Sequence, residues 1–338
     1  MKFVVVDADV LGRHRTGDET YVTNLLRELA EVAPDAGLRF GAVTRHPDLV
    51  PDGIEPLRLP TTLQELRMGW TLPRLLRRSG ADLVHTQYAV PLRCPCPAVV
   101  TVHDLSFERD PASMSKKDLR VFRAVVPRAV RQAVRVLTVS ERSRRDLQEL
   151  YDVPAEKIVV TPNGIDPAYR PGETGPREYV LAVGSVEPRK NQLAALEAAR
   201  AAGLPLVVVG PERDRALAAE LRRRGARLEG YVPPERLAEL YRGAACLVQA
   251  SRYEGFGLPV LEAMASGTPV VIVPEPALEE VAGGAAVIAP EDELATGIHR
   301  ALAEHDRLVW AGLERAREFS WRTTAERTLD VYQEVLQA

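Results

Sequence analysis

Residues 246–273 read CLVQASRYEGFGLPVLEAMASGTPVVIV. The stretch opens on an apolar run of strand length, turns through Gly255 and Gly257, and enters a helical pattern near Leu258. A second apolar run at 270–273 closes it. Apolar strand, helix and apolar strand in that order describe a parallel β-α-β unit whose sheet is covered on both faces. The same rhythm extends outward. Strand patterns fall at 2–6, 39–43, 82–85, 98–102 and 135–139, with helical patterns at 19–32, 63–78 and 116–131 between them. It restarts with a strand at 179–184 and a helix at 191–202, followed by strands at 206–209, 227–228, 246–249, 270–273 and 286–288. Two helices, at about 291–304 and 321–336, close the chain. Between the two series, NGIDPAYRPGETGPR (163–177) carries three prolines, three glycines and no periodicity, as a linker does. The expected fold class is α/β, with two Rossmann-like domains whose parallel sheets face across a cleft. The expected division is 1–165, a linker at 166–178, 179–319, and a terminal helix at 320–338 packing back on the first domain. In open sheets of this kind ligands bind beyond the carboxyl ends of the strands, so functional residues are expected just after strands.

Composition narrows the class. The length of 338 residues suits two domains, and 46% hydrophobic residues suffice for sizeable cores. Lys and Arg number 44 against 47 Asp and Glu, a net charge of −3 that argues against a nucleic-acid binder. No apolar stretch approaches the ~20 residues of a membrane span. The start, MKFVVVDADV, enters a buried-strand pattern without the marks of a signal peptide. Three cysteines make no disulfide framework. A soluble cytoplasmic protein is expected.

The chemistry concentrates in residues 251–271. Gly255 and Gly257 let the backbone approach a ligand closely, and N–H groups at the start of the following helix favour an anion. Glu254 and Glu262 flank that anion site and suit hydroxyl groups, as acidic residues do on ribose. Two carboxylates around an anion site fit a nucleotide sugar. Each acid alone reads equally well as a charge on the helix dipole or a solvated helix residue.

Glu254 and Glu262, with seven residues between them, match the E-x7-E motif, and the chain resembles the family 4 glycosyltransferases of GT-B fold. Four further segments agree in order: TGDETYVTNLL (16–26), TVSERSRRDL (138–147), TPNGID (161–166) and GSVEPRKN (184–191). The pairing of EPRKN with YEGFGLPVLEAMASG resembles the bacterial branch holding mannosyltransferases of surface-polysaccharide synthesis. The resemblance implies retaining, metal-independent transfer of a hexose from a nucleoside-diphosphate sugar, GDP-mannose favoured, to a sugar or lipid-linked acceptor. No cofactor and no metal are expected. It assigns Glu254 to hydroxyls of the donor sugar and Glu262 to the ribose. It turns backbone N–H groups around Gly255, Phe256, Gly257 and Leu258 toward the sugar and diphosphate. It places Lys190 on the leaving diphosphate, where a lysine at a helix start adds a point charge. Many relatives carry an arginine directly after the glycine of this turn; here Ser185 stands there, and Arg189 is either its substitute or an exposed helix-start residue. Gly17 brings backbone N–H groups near the diphosphate, His103 after the strand PAVVTV lies near the transferred sugar, and Val232 stands where the family holds the base. Glu254, Lys190 and His103 are the expected catalytic residues.

Other features carry less. Asp104 reads as a turn cap, and Asn163 and Asp166 as shaping the turn before the linker. Asp7 and Asp9 fit no metal motif; Cys94 and Cys96 lack partner ligands, and Cys246 reads as core. From Lys116 to Asp146 ten basic residues face three acidic ones, beside an apolar stripe of Leu119, Phe122, Val126, Val130 and Val134. This is either a packed helix with a solvated basic face or, over Lys116 to Arg145, a peripheral contact with anionic membrane. Two other functions share the architecture: a non-catalytic nucleotide-sugar binder, kept open by Ser185, and a sugar-nucleotide epimerase, which lacks the E-x7-E set.

Overall fold

A computed structural model of the chain describes residues 1–13, 17–173, 175 and 177–337, with the backbone alone for 33–35. Thr16 of the Gly17 segment, and Thr174 and Pro176 of the Pro/Gly-rich stretch, lie outside the described residues. The chain divides into two compact units. The first comprises Met1–Glu108, Met114–Gly164 and Trp321–Ala338; the second comprises Arg109–Ser113 and Ile165–Ser320.

The first unit is built on seven strands: β1 (Lys2–Asp7), β2 (Leu38–Thr44), β3 (Glu55–Arg58), β4 (Leu83–Gln87), β5 (Ala98–Thr101), β6 (Arg135–Thr138) and β7 (Ile158–Val160). All pair in parallel, in the order β3-β2-β1-β4-β5-β6-β7. Val4 pairs with Phe40 on one side and Leu83 on the other, so β1 is a central strand. Its residues Val4, Val5 and Val6 are wholly buried, which is why the strand reads as an unbroken apolar run. The helix Gly17–Ala36 covers it with Tyr21, Val22, Leu25, Leu26, Leu29 and Val32, the one-face spacing of an amphipathic helix.

The terminal helix, Trp321–Gln337, packs on Gly17–Ala36 and buries Trp321, Thr324, Ala325, Thr328, Val331, Tyr332 and Val335. A buried polar chain fixes it. The Tyr332 hydroxyl lies 2.6 Å from His85 Nδ1, and His85 Nε2 lies 2.7 Å from Thr101 Oγ1. The Tyr21 hydroxyl meets the same Thr101 at 3.2 Å. Burial, followed by the neighbouring His103, pushes His85 down to about 3, so the ring links its neighbours as a neutral imidazole.

The second unit holds β8 (Val180–Val183), β9 (Leu206–Val209), β10 (Arg227–Gly230), β11 (Cys246–Gln249), β12 (Val270–Ile272) and β13 (Val287–Ile288). They pair in parallel in the order β10-β9-β8-β11-β12-β13. The chain winds outward from β8 through β9 and β10, then returns to β11 and winds the other way. Neighbouring β8 and β11 therefore bound a topological switch point, as β1 and β4 do in the first unit.

The structure departs from the sequence reading at several points, among them the helices Glu141–Tyr151, Arg215–Arg223, Pro234–Gly243 and Pro276–Ala282, which that reading does not include. β3 and β7 are additional strands. Three helices follow β13 instead of two: Leu294–Ala303, His305–Ala316 and Trp321–Gln337. The helical pattern at 63–78 contains a π-helical turn, Arg67–Thr71, between the pieces Gln64–Leu66 and Leu72–Ser79. In the helix Lys116–Gln132 the apolar stripe faces inward. Val126 and Val130 are buried, and Leu119 and Phe122 pack against the core, whereas Val134 lies past the helix end and is exposed. The lysines and arginines form its solvated face, so the stripe is not free to meet a bilayer. None of the described helices is long and apolar enough to cross a membrane.

One close approach sets the shape of the second switch point. A Cβ on Gly210, at the end of β9, would lie 2.2 Å from the Gly184 carbonyl oxygen, and Gly210 has φ +144°. Gly210→Ala must push the β8 turn aside. A loss of about 3 kcal/mol is expected, read as a lower urea midpoint for the second unit.

Candidate active site

The sequence candidates of the second unit gather where β8 and β11 end. After β8 the chain turns through Gly184 and Ser185, forms a short 3-10 turn at Pro188–Lys190, and starts the helix Gln192–Ala201. After β11 it runs through Ser251 to Gly257 and starts the helix Leu258–Ala265. The Arg252 N–H donates to the Arg189 carbonyl at 2.9 Å, stitching the two loops together.

At their junction the Lys190 Nζ donates to Glu254 Oε1 at 2.6 Å. The Gln249 amide, at the last position of β11, donates to the same oxygen at 2.8 Å and to Ser251 Oγ at 2.9 Å. Arg189 Nη1 donates to the Tyr253 carbonyl at 2.6 Å and lies 3.4 Å from Glu254 Oε2, while its Nη2 donates to Glu187 at 2.7 Å. The pair is buried, with side-chain exposures of 12% for Lys190 and 8% for Glu254. Burial alone would raise the Glu254 carboxyl, but Lys190 and Arg189 outweigh it and hold the group down at about 2. Lys190 keeps its partner although burial works against its charge. Two cations thus meet the Glu254 carboxylate at a strand end, and Arg189 is shared with a second carboxylate, Glu187.

Arg189 is a half-buried member of this cluster, not an exposed helix-start residue. Ser185 is buried, and its carbonyl accepts the Gln192 amide at 2.8 Å, which fixes the turn. Its short side chain leaves Arg189 and Lys190 as the cationic groups of this loop.

The turn at 255–257 is buried, and Phe256 packs edge-on against Phe319 with ring centroids 5.8 Å apart. Gly257 caps the next helix with φ +108°, and a Cβ there would meet Leu278 Cδ2 at 2.9 Å. A glycine cap offers no side-chain oxygen to the first N–H groups, so the helix start remains suited to an anion. Glu275 caps the next helix, Pro276–Ala282, accepting the Ala277 and Leu278 N–H groups. Burial pushes Glu275 up to about 7, and the nearby Glu254 charge adds to the shift.

Glu262 is buried at 8% exposure and is not a solvated helix residue. The Tyr241 hydroxyl donates to its Oε2 at 2.8 Å, and Tyr169 also hydrogen-bonds to it. Burial pushes Glu262 up to about 7 against the pull of both phenols. Tyr169 and Tyr241 are themselves shifted upward, first by burial and then by the Glu262 charge, so both remain donors. Val232 follows β10, two strands away from β8, and is half-buried.

Gly17 and His103 belong to the first unit. Gly17 opens its helix with free space where a Cβ would stand, and Glu19 reaches back to accept the Gly12 N–H at 2.7 Å. His103 follows β5 and is buried at 8% exposure. Its ring meets Tyr21 edge-on at 4.8 Å, and its Nε2 lies 3.3 Å from Gln87 Oε1. Burial lowers its pKa despite Asp18 and Asp104, so the imidazole is neutral. Asp104 accepts the Ser106 N–H at 3.0 Å, as a turn cap does.

Sequence reading missed Gln249, Glu187, Glu275, Tyr169 and Tyr241. Gln249 left a signal, a polar residue at the end of an otherwise apolar strand. Glu187 and Glu275 have partners within three residues but read as ordinary loop and helix-cap charges, whereas Tyr169 and Tyr241 left no signal because Glu262 is distant in sequence. Among the described residues no three or more His, Cys, Asp or Glu are grouped to hold a metal ion. Cys94, Cys96 and Cys246 are free thiols.

Comparison with known proteins agrees with this geometry. Residues 15–169 match the model of Glycosyltransferase Family 4, and residues 170–316 match that of Glycosyl transferases group 1. The chain is 34% identical to O-antigen chain mannosyltransferase B of Escherichia coli over 266 residues, covering 70% of each chain. It is 31% identical to the MMP alpha-(1->4)-mannosyltransferase of Mycolicibacterium hassiacum, covering 96% of each. Its fold superposes on sucrose-phosphate synthase from Thermosynechococcus elongatus with a TM-score of 0.78 over 100% of both chains, at 21% identity. Matched family models over both units, together with a relative at 34% identity, place the chain in the family 4 glycosyltransferases of GT-B fold.

Proposed function

We propose that this glycosyltransferase moves a hexose from a nucleoside-diphosphate sugar, GDP-mannose favoured, to an acceptor hydroxyl, with retention and without a metal, in cell-surface glycan or glycolipid synthesis. The observation that carries the reading is the Lys190–Glu254 pair, 2.6 Å apart at the β8/β11 switch point beside a glycine-capped helix start. A diphosphate there draws on Lys190, with Arg189 behind it, and on the helix N–H groups. Glu254 accepts the sugar hydroxyls. Glu262 accepts the ribose hydroxyls, and Val232 borders the base.

In the reaction, the bond from the anomeric carbon to the diphosphate oxygen breaks as the acceptor oxygen bonds to the same face. The acceptor proton passes to the departing phosphate oxygen. Negative charge grows on the diphosphate, so Lys190 stabilises the transition state more than the bound donor. Neutral His103 hydrogen-bonds the sugar, and Gly17 brings N–H groups to the diphosphate. The contact with anionic membrane over Lys116–Arg145 is then purely electrostatic, through a solvated basic face, and 0.5 M salt abolishes it.

The reading is tested with a panel of GDP- and UDP-sugars, by thermal shift and by the anomeric configuration of the product. GDP-mannose is expected to stabilise most and to give the α-linked product. Inversion at the anomeric carbon overturns retention, and no stabilisation by any nucleotide sugar overturns the donor site.

The pH dependence has a definite sign. Glu262 accepts from ribose more strongly when ionised, and burial pushes its pKa up to about 7. Donor affinity is therefore expected to rise about tenfold from pH 6 to pH 8 and to fall on the acid side. An intact nucleotide sugar is the probe, because its diphosphate does not titrate in that range. Glu262→Gln is expected to flatten the profile; a slope that persists in this variant belongs to Glu275.

A further inference from the structure

The first unit carries a second charged cluster at its own switch point, and none of the roles above uses it. Asp7, the last residue of β1, accepts Arg67 Nη1 on both oxygens, at 2.6 and 2.8 Å. Asp9 accepts Arg45 Nε at 2.7 Å, pairs with Arg13, and lies 3.6 Å from Arg67 Nη1. Gln87, at the end of β4, donates to the Asp7 carbonyl at 3.5 Å and reaches toward His103 on its other side. From β2 to β5, neighbouring strand ends therefore carry Arg45, the two aspartates with Arg67, Gln87 and His103 as one polar row.

Two features of the row point to a ligand. Three arginines face two aspartates, which leaves a formal excess of one positive charge. The aspartates also consume particular N–H groups and leave others. Arg67 is only 6% exposed, with Nη1 on Asp7 and Nε on Gln64, and its Nη2 has no partner among the described residues. Arg45 uses only Nε, and neither of its Nη atoms has a partner among the described residues. The carboxylates orient two guanidiniums by their inner edges and leave the outer edges as oriented donors. Arg67 Nη2 and the two Nη atoms of Arg45 make three donor nitrogens, more than the oxygens of a carboxylate and equal to the three oxygens of a terminal phosphoryl group.

We propose that Arg45 and Arg67, oriented by Asp9 and Asp7, bind a phosphoryl oxyanion of the acceptor, so that the enzyme takes a phosphorylated or diphosphate-linked sugar. The inference rests on reading the first unit as the acceptor-binding half. Arg45 and Arg67 set specificity through binding and do not touch the reacting atoms.

The test uses the full chain and inorganic phosphate, titrated by calorimetry into wild type, Lys190→Ala, Arg45→Gln and Arg45→Lys. Lys190→Ala weakens the donor-side anion site about tenfold or more and is expected to leave one phosphate site at its original strength. Arg45→Gln is expected to weaken that site about tenfold, and Arg45→Lys to restore part of it. Arg13 still pairs with Asp9 in both Arg45 variants, and thermal unfolding confirms that they fold. Loss of all phosphate binding in Lys190→Ala, or binding unchanged by Arg45→Gln, overturns the proposal and leaves the donor site standing. Phosphate binding that depends on Arg45 in a chain that binds no nucleotide sugar supports the proposal and sinks the donor reading instead.

Kinetics with a neutral sugar, its soluble phosphate, and a lipid diphosphate sugar in detergent separate the sources. The charged acceptor that the enzyme uses is expected to have a KM at least tenfold lower than the neutral one, and Arg45→Gln is expected to erase that difference with kcat unchanged. Equal KM values for neutral and charged acceptors overturn the proposal.

Discussion

Glu254→Gln is expected to lower sugar transfer by about two to three orders of magnitude while leaving nucleoside-diphosphate affinity unchanged or stronger. The two effects have opposite signs for one electrostatic reason. Glu254 is ionised and buried between Lys190 and Arg189. Glutamine keeps its size and one oxygen for the Gln249 amide, but removes the negative charge in direct contact with Lys190, leaving the more distant Glu187. On the proposed reading the diphosphate then meets a more positive site, whereas the sugar loses the carboxylate proposed to accept its hydroxyls. Steady-state kcat and calorimetric diphosphate affinity check the two effects separately. Wild-type kcat in this variant would remove Glu254 from the chemistry.

Lys190→Ala is expected to lower kcat by about a thousandfold and to weaken diphosphate binding by about tenfold or more. Charge on the leaving group grows during the reaction, so the loss falls more heavily on kcat than on ground-state affinity. Arg189 does not replace the lysine. Its Nη1 and Nη2 are committed to the Tyr253 carbonyl and Glu187, and its approach to Glu254 is the longer one at 3.4 Å. Part of the effect would be structural, because Glu254 loses its closest cation; a thermal unfolding curve measures that part. If kcat and affinity fell by equal factors, Lys190 would bind the donor without assisting departure of the leaving group.

Most strands of both sheets are legible in the sequence because both of their faces are buried, which produces apolar runs such as FVVV and LVVV. The two unforeseen strands lack that pattern. β3 is EPLR at the sheet edge with three of its four residues exposed, and β7 is only three residues long at the other edge. The helix His305–Ala316 was hidden because its buried face is Leu308, Gly312 and Ala316, too sparse and too small to mark an apolar period. At the site, Glu254, Lys190 and Glu262 were visible because local spacing after a strand carries their meaning. The tyrosines on Glu262, and the arginines on Asp7 and Asp9, were not. Arg67 lies sixty positions from Asp7, and only the winding order of the sheet brings the two together.

The packing of Trp321–Gln337 on Gly17–Ala36 has a consequence for how the protein is made. Domains emerging from the ribosome ordinarily fold in the order of their synthesis. Here the half that emerges first cannot close. His85 and Thr101 wait for Tyr332, and the Pro162 carbonyl waits for Thr324 of the same helix. Folding of the second half does not need that helix, so it is free to finish while the first still exposes a groove beside Tyr21. The first unit is therefore completed only after the second has been synthesised, once the helix Trp321–Gln337 is available to pack on it.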